Sequence, residues 1–296
     1  MIFFNFTWPR RGRRFGAILA LICALAACPD AAKAQSLQQV FSGVANALSD
    51  TLNLRPQDVT NLSLGLGPAV VPRFDGSREY KIRPVPVVSL RYRDVLKVDN
   101  NDVDFTAFDK VFGEDSAVEG RLSLGPVVNL DFGRSEKDST KLKGLGNIGM
   151  SVELGAFVEF AAEEATFHVE VGQDVAQGHK GAVMEFTVTR SLYHGDKLVV
   201  GANGVMTLAT ANYMNTFFGV NAAQSAASGL PQFHAGPSIK DIGLSLNAIY
   251  ALNKHWSVLA TLGYRRLLGD AEDSPLVRLR GDSGQGHFSS FLIYTF

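Results

Sequence analysis

Apolar and polar residues alternate along most of this 296-residue chain. In 241–250 (DIGLSLNAIY), Ile242, Leu244, Leu246, Ala248 and Tyr250 fall on one face; Asp241, Gly243, Ser245 and Asn247 fall on the other. A period of two puts alternate side chains on opposite faces of a strand. The same period runs through 121–132, 151–160, 167–173, 183–191, 199–208 and 255–264. These runs are about ten residues long, beyond the ~5–6 usual in globular strands and within the ~9–11 that cross a bilayer at a tilt. Aromatic residues bound several apolar faces, such as Trp256 with Tyr264 and Phe288 with Phe296. Rings at both ends of an apolar band mark the two membrane interfaces.

The pattern predicts an all-β chain, a transmembrane antiparallel β-barrel of about 12 strands, with ten as the alternative. The predicted strands cover 61–71, 80–92, 101–110, 119–132, 147–161, 165–175, 181–193, 197–210, 212–220, 238–252, 254–268 and 286–296. Segment 212–220 (NYMNTFFGV) alternates least. Connectors 133–146, 221–237 and 269–285 are long enough to be mobile loops.

The chain ends on a closing strand. Phe288, Ser290, Leu292, Tyr294 and Phe296 share a face, and Phe288, Leu292, Tyr294 and Phe296 are the expected closing and assembly residues. That strand must pair with the first, because an open edge in lipid leaves backbone groups unpaired. Gly281-Asp282-Ser283-Gly284 just before it matches the tetrapeptide around a trypsin-like nucleophile. Such a serine needs a histidine and a buried aspartate beside it, and no histidine here has a protease context. The segment reads as the turn into the closing strand, and the chain as a non-enzyme.

The N-terminus reads as an export signal. Arg10, Arg11, Arg13 and Arg14 precede an apolar run over 15–28, and Ala32-Lys33-Ala34 supplies small residues for cleavage after Ala34. The run is too short to span a bilayer permanently. A lipoprotein reading, with Cys28 of Leu25-Ala26-Ala27-Cys28 lipidated, stays open. The expected organisation is a signal peptide over 1–34, an N-terminal periplasmic segment over 35–60 and the barrel over 61–296. Both cysteines, Cys23 and Cys28, lie in the signal, which removes disulfides, thiolate metal sites and cysteine nucleophiles from the exported part. The mature chain holds 23 basic against 28 acidic residues, a net charge of −5. Nucleic acid is not an expected partner, and no cofactor is expected.

The polar faces carry the candidate chemistry. Arg121, Asp131, Glu153, Glu159, His168, Glu170, Glu185, Asp241 and Arg265 are the expected lumen-lining set. Acids outnumber bases, which would give an open pore a mild cation preference. Opposed charges in a bore of this size can also pair and fill it, and the reading leans that way. His168 and Glu170 are expected to be hydrogen-bonded neighbours and not metal ligands. Asp75, Glu79, Asp270, Glu272 and Asp273 put carboxylates on turns, where calcium or lipopolysaccharide-bridging cations are the alternative to plain solvation. Gly144-Leu145-Gly146-Asn147-Ile148-Gly149 matches GxGxxG, but it opens a strand and not a helix, so it reads as a flexible lead into that strand.

Four stretches, in order, resemble the MltA-interacting protein (MipA)/OmpV family of outer-membrane proteins. They are 65–93 (GLGPAVVPRFDGSREYKIRPVPVVSLRYR), Gly178-His179-Lys180-Gly181, 213–231 with its FFGV and Gly229-Leu230-Pro231, and 268–277 (LGDAEDSPLV). The resemblance implies a Gram-negative outer-membrane barrel with lipid, lipopolysaccharide and the barrel-assembly machinery as neighbours. It further implies a scaffold joining a lytic transglycosylase to a penicillin-binding protein in peptidoglycan remodelling. Other members suggest a porin-like channel or an adhesin acting through its loops. The resemblance carries no catalytic residues. An open bore would favour the channel; a scaffold needs none.

Overall fold

Strands that alternate apolar and polar residues over ten or more positions have one face suited to lipid, and here they close on themselves. A computed structural model describes residues 59–113 and 119–296. The expected signal peptide, 1–34, and nearly all of the expected 35–60 segment lie outside the described residues. The strands are β1 (Val59–Pro72), β2 (Tyr80–Tyr92), β3 (Leu96–Asp99), β4 (Asp102–Phe105), β5 (Phe108–Phe112), β6 (Gly120–Asp131), β7 (Ser151–Ala161), β8 (Ala165–Asp174), β9 (Ala182–His194), β10 (Leu198–Ala209), β11 (Ser238–Ala251), β12 (Trp256–Leu267) and β13 (Gly284–Thr295). Each pairs antiparallel with its sequence neighbour, except that β4 and β5 both pair with β6. Pairing of β1 with β13 and of β4 with β6 closes a 12-strand ring, with β5 as an extra strand on β6.

Twelve is the expected number, reached differently. Segment 212–220 is not a strand: 211–218 forms a helix. Its buried residues are Tyr213, Met214, Phe217 and Phe218, spaced one and four apart. That is one face of a 3.6-residue period, which cannot serve as an alternating strand. The missing wall element is the short β3–β4 hairpin, with the expected 101–110 strand split between β4 and β5. Strand β7 starts at Ser151, four residues later than expected.

In β11, Ile242, Leu244 and Leu246 are exposed to the surroundings, while Asp241, Gly243, Ser245 and Asn247 are covered. Leu154, Val158, Phe167, Val188, Leu262 and Phe288 likewise stand exposed around the wall. No helix among the described residues is long and apolar enough to cross a membrane; the strands supply the lipid-facing surface.

The seam is tightly specified. Leu64, Leu66 and Val70 of β1 face Tyr294, Leu292 and Phe288 of β13. On the other edge, Trp256, Val258 and Leu262 of β12 face the same three residues. Gly67 sits where a Cβ would lie 1.8 Å from the Ser290 carbonyl oxygen, so only glycine lets the two backbones approach here. Tyr294 packs edge-on against Trp256 at 4.9 Å and Phe296 at 4.8 Å, a ring cluster at the end of the wall that holds the C-terminus.

That end also carries the short turns 93–95, 162–164, 195–197 and 252–255. Short turns face the periplasm in outer-membrane barrels. The opposite, outer end carries the connections 73–79, 132–150, 175–181, 210–237 and 268–283. Three of these match the connectors expected to be long loops, and they carry regular structure. They contain α1 (Ala211–Phe218), α2 (Ala222–Ser228), α3 (Gly269–Asp273), α4 (Pro275–Arg280) and two 3₁₀ turns.

Candidate functional site

The outer connections build a cap with its own apolar core. Tyr213, Met214, Phe217 and Phe218 of α1 pack with Ile148, Ala235, Ala271 and Val277 and with Leu267 at the top of β12. A second cluster joins Phe74, Leu142, Leu145, Val220, Leu230 and Leu276. Phe74 follows β1, Leu142 and Leu145 follow β6, Val220 and Leu230 follow β10, and Leu276 follows β12, so these connections meet across the barrel mouth. The remaining one, 175–181, joins through His179, whose ring lies edge-on to Tyr213 at 4.8 Å.

Polar groups fix the joints. Ser274 caps α4 by accepting from the Leu276 N–H, and its hydroxyl donates to the Phe218 carbonyl at 2.6 Å. Arg134 donates to the Phe217 carbonyl at 2.8 Å. Burial lowers the Arg134 guanidinium to about 10. Asn221 and Gln224 form a reciprocal capping box that starts α2, and Gln224 reaches on to the Leu145 carbonyl at 2.7 Å.

The Gly178-His179-Lys180-Gly181 turn is the latch between cap and wall. Asp174 accepts backbone N–H groups of Ala176, His179 and Lys180. His179 is 1% exposed. Its Nδ1 accepts the Gly181 N–H at 3.1 Å, so a neutral ring carries its proton on Nε2, which donates to Glu153 Oε1 at 2.7 Å. The Thr216 hydroxyl of α1 and the Asn212 amide donate to the carbonyls of His179 and Lys180.

Asp131 joins this pair, and the three present ligand atoms within 4.8 Å of one another. The hydrogen bonding does not suit a metal. Binding through Nε2 would displace its proton while Nδ1 stays an acceptor, leaving an imidazolate. The arrangement instead ties α1 to β7 through a buried histidine–carboxylate bond.

Beneath the cap, a second polar contact uses a residue that the alternating pattern concealed. The β10–β11 register shifts between Thr207 and Leu208, opposite Ile239–Asp241. Both Lys240 and Asp241 are therefore buried. Lys240 Nζ lies 3.0 Å from Asp241, 3.5 Å from Asp75 in the β1–β2 connection and 5.5 Å over the Tyr213 ring. Arg265 lies 3.5 Å from Asp241, and the Thr207 hydroxyl donates to it at 3.0 Å. Lys240 and Arg265 hold the half-exposed Asp75 carboxyl below its usual value.

The remaining expected lumen residues fall into separate groups. His168 bridges Glu159 at 3.3 Å and Glu170 at 3.6 Å. Glu170 faces Glu185 across β8–β9, and Glu185 accepts the Thr187 hydroxyl. Arg121 does not join them: it is half exposed near the periplasmic end and pairs with Asp109 of β5 at 2.6 Å. Glu185 and Arg265 share a 190 Å³ cavity with Asn203 and His287.

The turn carboxylates are engaged within the cap. Asp270 accepts the Gly236 N–H, Glu79 accepts the Ser139 hydroxyl, and Glu272 binds Arg266 at 2.9 Å. Asp273 alone among them is loosely held, 4.0 Å from Arg278. Ser283 donates to Glu272 at 3.1 Å, so the protease-like tetrapeptide is a joint between β12 and β13. The GxGxxG stretch is also part of the cap: Gly144 and Gly146 adopt φ of +86° and +76° and turn Leu145 and Ile148 into its two cores.

A sequence model of the family described as MltA-interacting protein MipA matches residues 64–296. The chain belongs to that family. The matched span holds the MipA-family barrel and its cap together. Among curated relatives, Outer membrane protein OmpV of Vibrio cholerae is 24% identical over 162 residues, covering 52% of this chain and 62% of OmpV. Putative outer membrane protein YiaT of Escherichia coli K12 is 24% identical over 148 residues, covering 50% and 59%. The chain thus aligns with about three fifths of the length of these relatives. Among solved structures, the NanC porin aligns with 79% of this chain and 98% of its own at 10% identity and TM-score 0.41. Pseudomonas putida OprB aligns with 85% and 97% at 7% identity and TM-score 0.38. This MipA-family member is an outer-membrane β-barrel.

Proposed function

We propose that this barrel is a closed anchor that presents its periplasmic end to enzymes that cut and build peptidoglycan. One observation carries the reading: the outer connections meet in packed apolar cores across the barrel mouth. A channel needs that mouth open, whereas a docking barrel gains from its closure, which rigidifies the wall from which the periplasmic turns project. The family description, an MltA-interacting protein, supports a lytic transglycosylase as one partner; a penicillin-binding protein is the second in this reading.

A gated channel is the competing reading, favoured by the polar cavity of Glu185, Asn203, Arg265 and His287 under the cap. Crosslinking in intact cells followed by purification of the tagged barrel tests the anchor. Recovery of a transglycosylase or penicillin-binding protein, absent with an unrelated barrel, is expected. Recovery of generic outer-membrane neighbours alone would transfer the reading to the channel.

A further inference from the structure

The cap carries a pocket on its own surface, separate from the barrel interior and from the periplasmic end. It is an open pocket of about 740 Å³ between the 132–150 and 210–237 connections. That volume is in the ~300–1,000 Å³ range of small-molecule sites. Its lining contains no Asp, Glu, Lys or Arg, although 19% of the chain is charged.

Four exposed polar side chains line it: Asn147, Asn221, Gln232 and His234. Asn147 and Asn221 each use the side-chain oxygen within the cap, on the N–H groups of Glu136 and Gln224. Those bonds fix the two carboxamides, and neither NH₂ group has a partner among the described residues. Gln232 and His234 have no hydrogen-bond partner among the described residues. Beside these lie Leu145, Ile148, Val220 and the half-buried Phe233 ring.

Anchored amide donors beside an aromatic and aliphatic floor match one ligand chemistry. A phosphate or carboxylate would find no Lys or Arg in the lining, and an ammonium no Asp or Glu. An aliphatic ligand would leave the amides without partners. A sugar ring presents hydroxyls at its edge and C–H groups on its face, and meets both surfaces. We propose that this pocket binds a neutral saccharide of one or two units, either free in the medium or at the end of a surface glycan chain.

The test is saturation-transfer NMR on the whole barrel in a sugar-free detergent. Maltose, lactose and diacetylchitobiose serve as free probes, and a neutral outer-core oligosaccharide released from lipopolysaccharide as the chain-borne probe. Gluconate is the charged control. The expected result is saturable transfer from at least one neutral saccharide, weakened about tenfold or more by Gln232→Ala, His234→Ala and Phe233→Leu, with gluconate silent. Preference for the oligosaccharide assigns the chain-borne source; preference for a disaccharide assigns the free one. Gln232 and His234 are exposed and their side chains have no hydrogen-bond partner among the described residues, so their truncation leaves the cap folded; the near-isosteric Gln232→Met is the second variant if either fails to fold. Absence of saturable binding by every neutral probe, equal binding by gluconate, or affinity unchanged in all variants would overturn the proposal.

Discussion

Phe218→Ala isolates the cap from the wall. The Phe218 side chain is fully buried, packed in the cluster that holds Met214, Leu267 and Val277. Its carbonyl accepts the Ser274 hydroxyl, and that bond survives truncation. The substitution therefore removes the ring and little else, at a cost of about 3–5 kcal/mol for a buried phenylalanine. If the cap opens as its own cooperative unit, that cost falls on its opening equilibrium, which rises roughly 10²-fold to several thousandfold. Amide hydrogen exchange followed by mass spectrometry in micelles reads it directly. Peptides covering 211–219 and 269–280 should exchange faster by that factor, while those within β11 and β12 keep wild-type rates. Phe218→Leu, nearer in volume, should accelerate the same peptides by roughly tenfold or less. Unchanged cap exchange would refute the packing argument. Equal acceleration in the strands would refute the claim that cap and wall are separate units.

Three further outcomes follow from the same contacts. His179→Ala strands the buried Glu153 carboxylate and removes the acceptor of the Gly181 N–H; a loss of about 3 kcal/mol or more is expected, read as a lower heat-modification midpoint on gels, and an unchanged midpoint would remove the latch role. Gly67→Val places side-chain atoms against the Ser290 carbonyl at the seam; refolding yield in micelles should collapse, and normal yield would show that the seam tolerates separation. Asp75 has its folded pKa held below the ordinary 3.8, so its contribution is present above that value and is lost as pH falls through the lower folded one. Cap peptides should lose protection, after correction for intrinsic exchange, in that acidic window, and Asp75→Asn should flatten the step; an identical profile in the variant would discard the Asp75–Lys240 link.

The wall was legible because one rule governs it: lipid outside and polar groups inside force a period of two over a bilayer's thickness. Ten of the expected strands reappear within a few residues of their expected limits. The failures share a cause as well. In 212–220 the apolar residues are dense enough to imitate a strand, but their spacing of one and four belongs to a helix face, and the partners of that face lie about 20 to 70 residues away in sequence. Lys240 was hidden because a bulge turns two successive side chains the same way, which an alternation rule excludes. His179 gave only a short glycine-flanked motif; its role depends on Glu153 and Tyr213, which no local pattern joins to it. Of the charges named from alternation, Glu153 and Asp241 are buried, Arg121 is exposed and the others are partly covered; which acid meets which base is set by register and could not be read from one strand at a time.

The closed mouth is the central claim, and conductance tests it most directly. Single-channel recording across a planar bilayer should find the wild-type barrel silent or rarely open, with steady porin-sized steps only after 211–235 is replaced by a short glycine–serine linker. Steady conductance of the wild type at the level of its linker variant would contradict the closed barrel and move the function to transport.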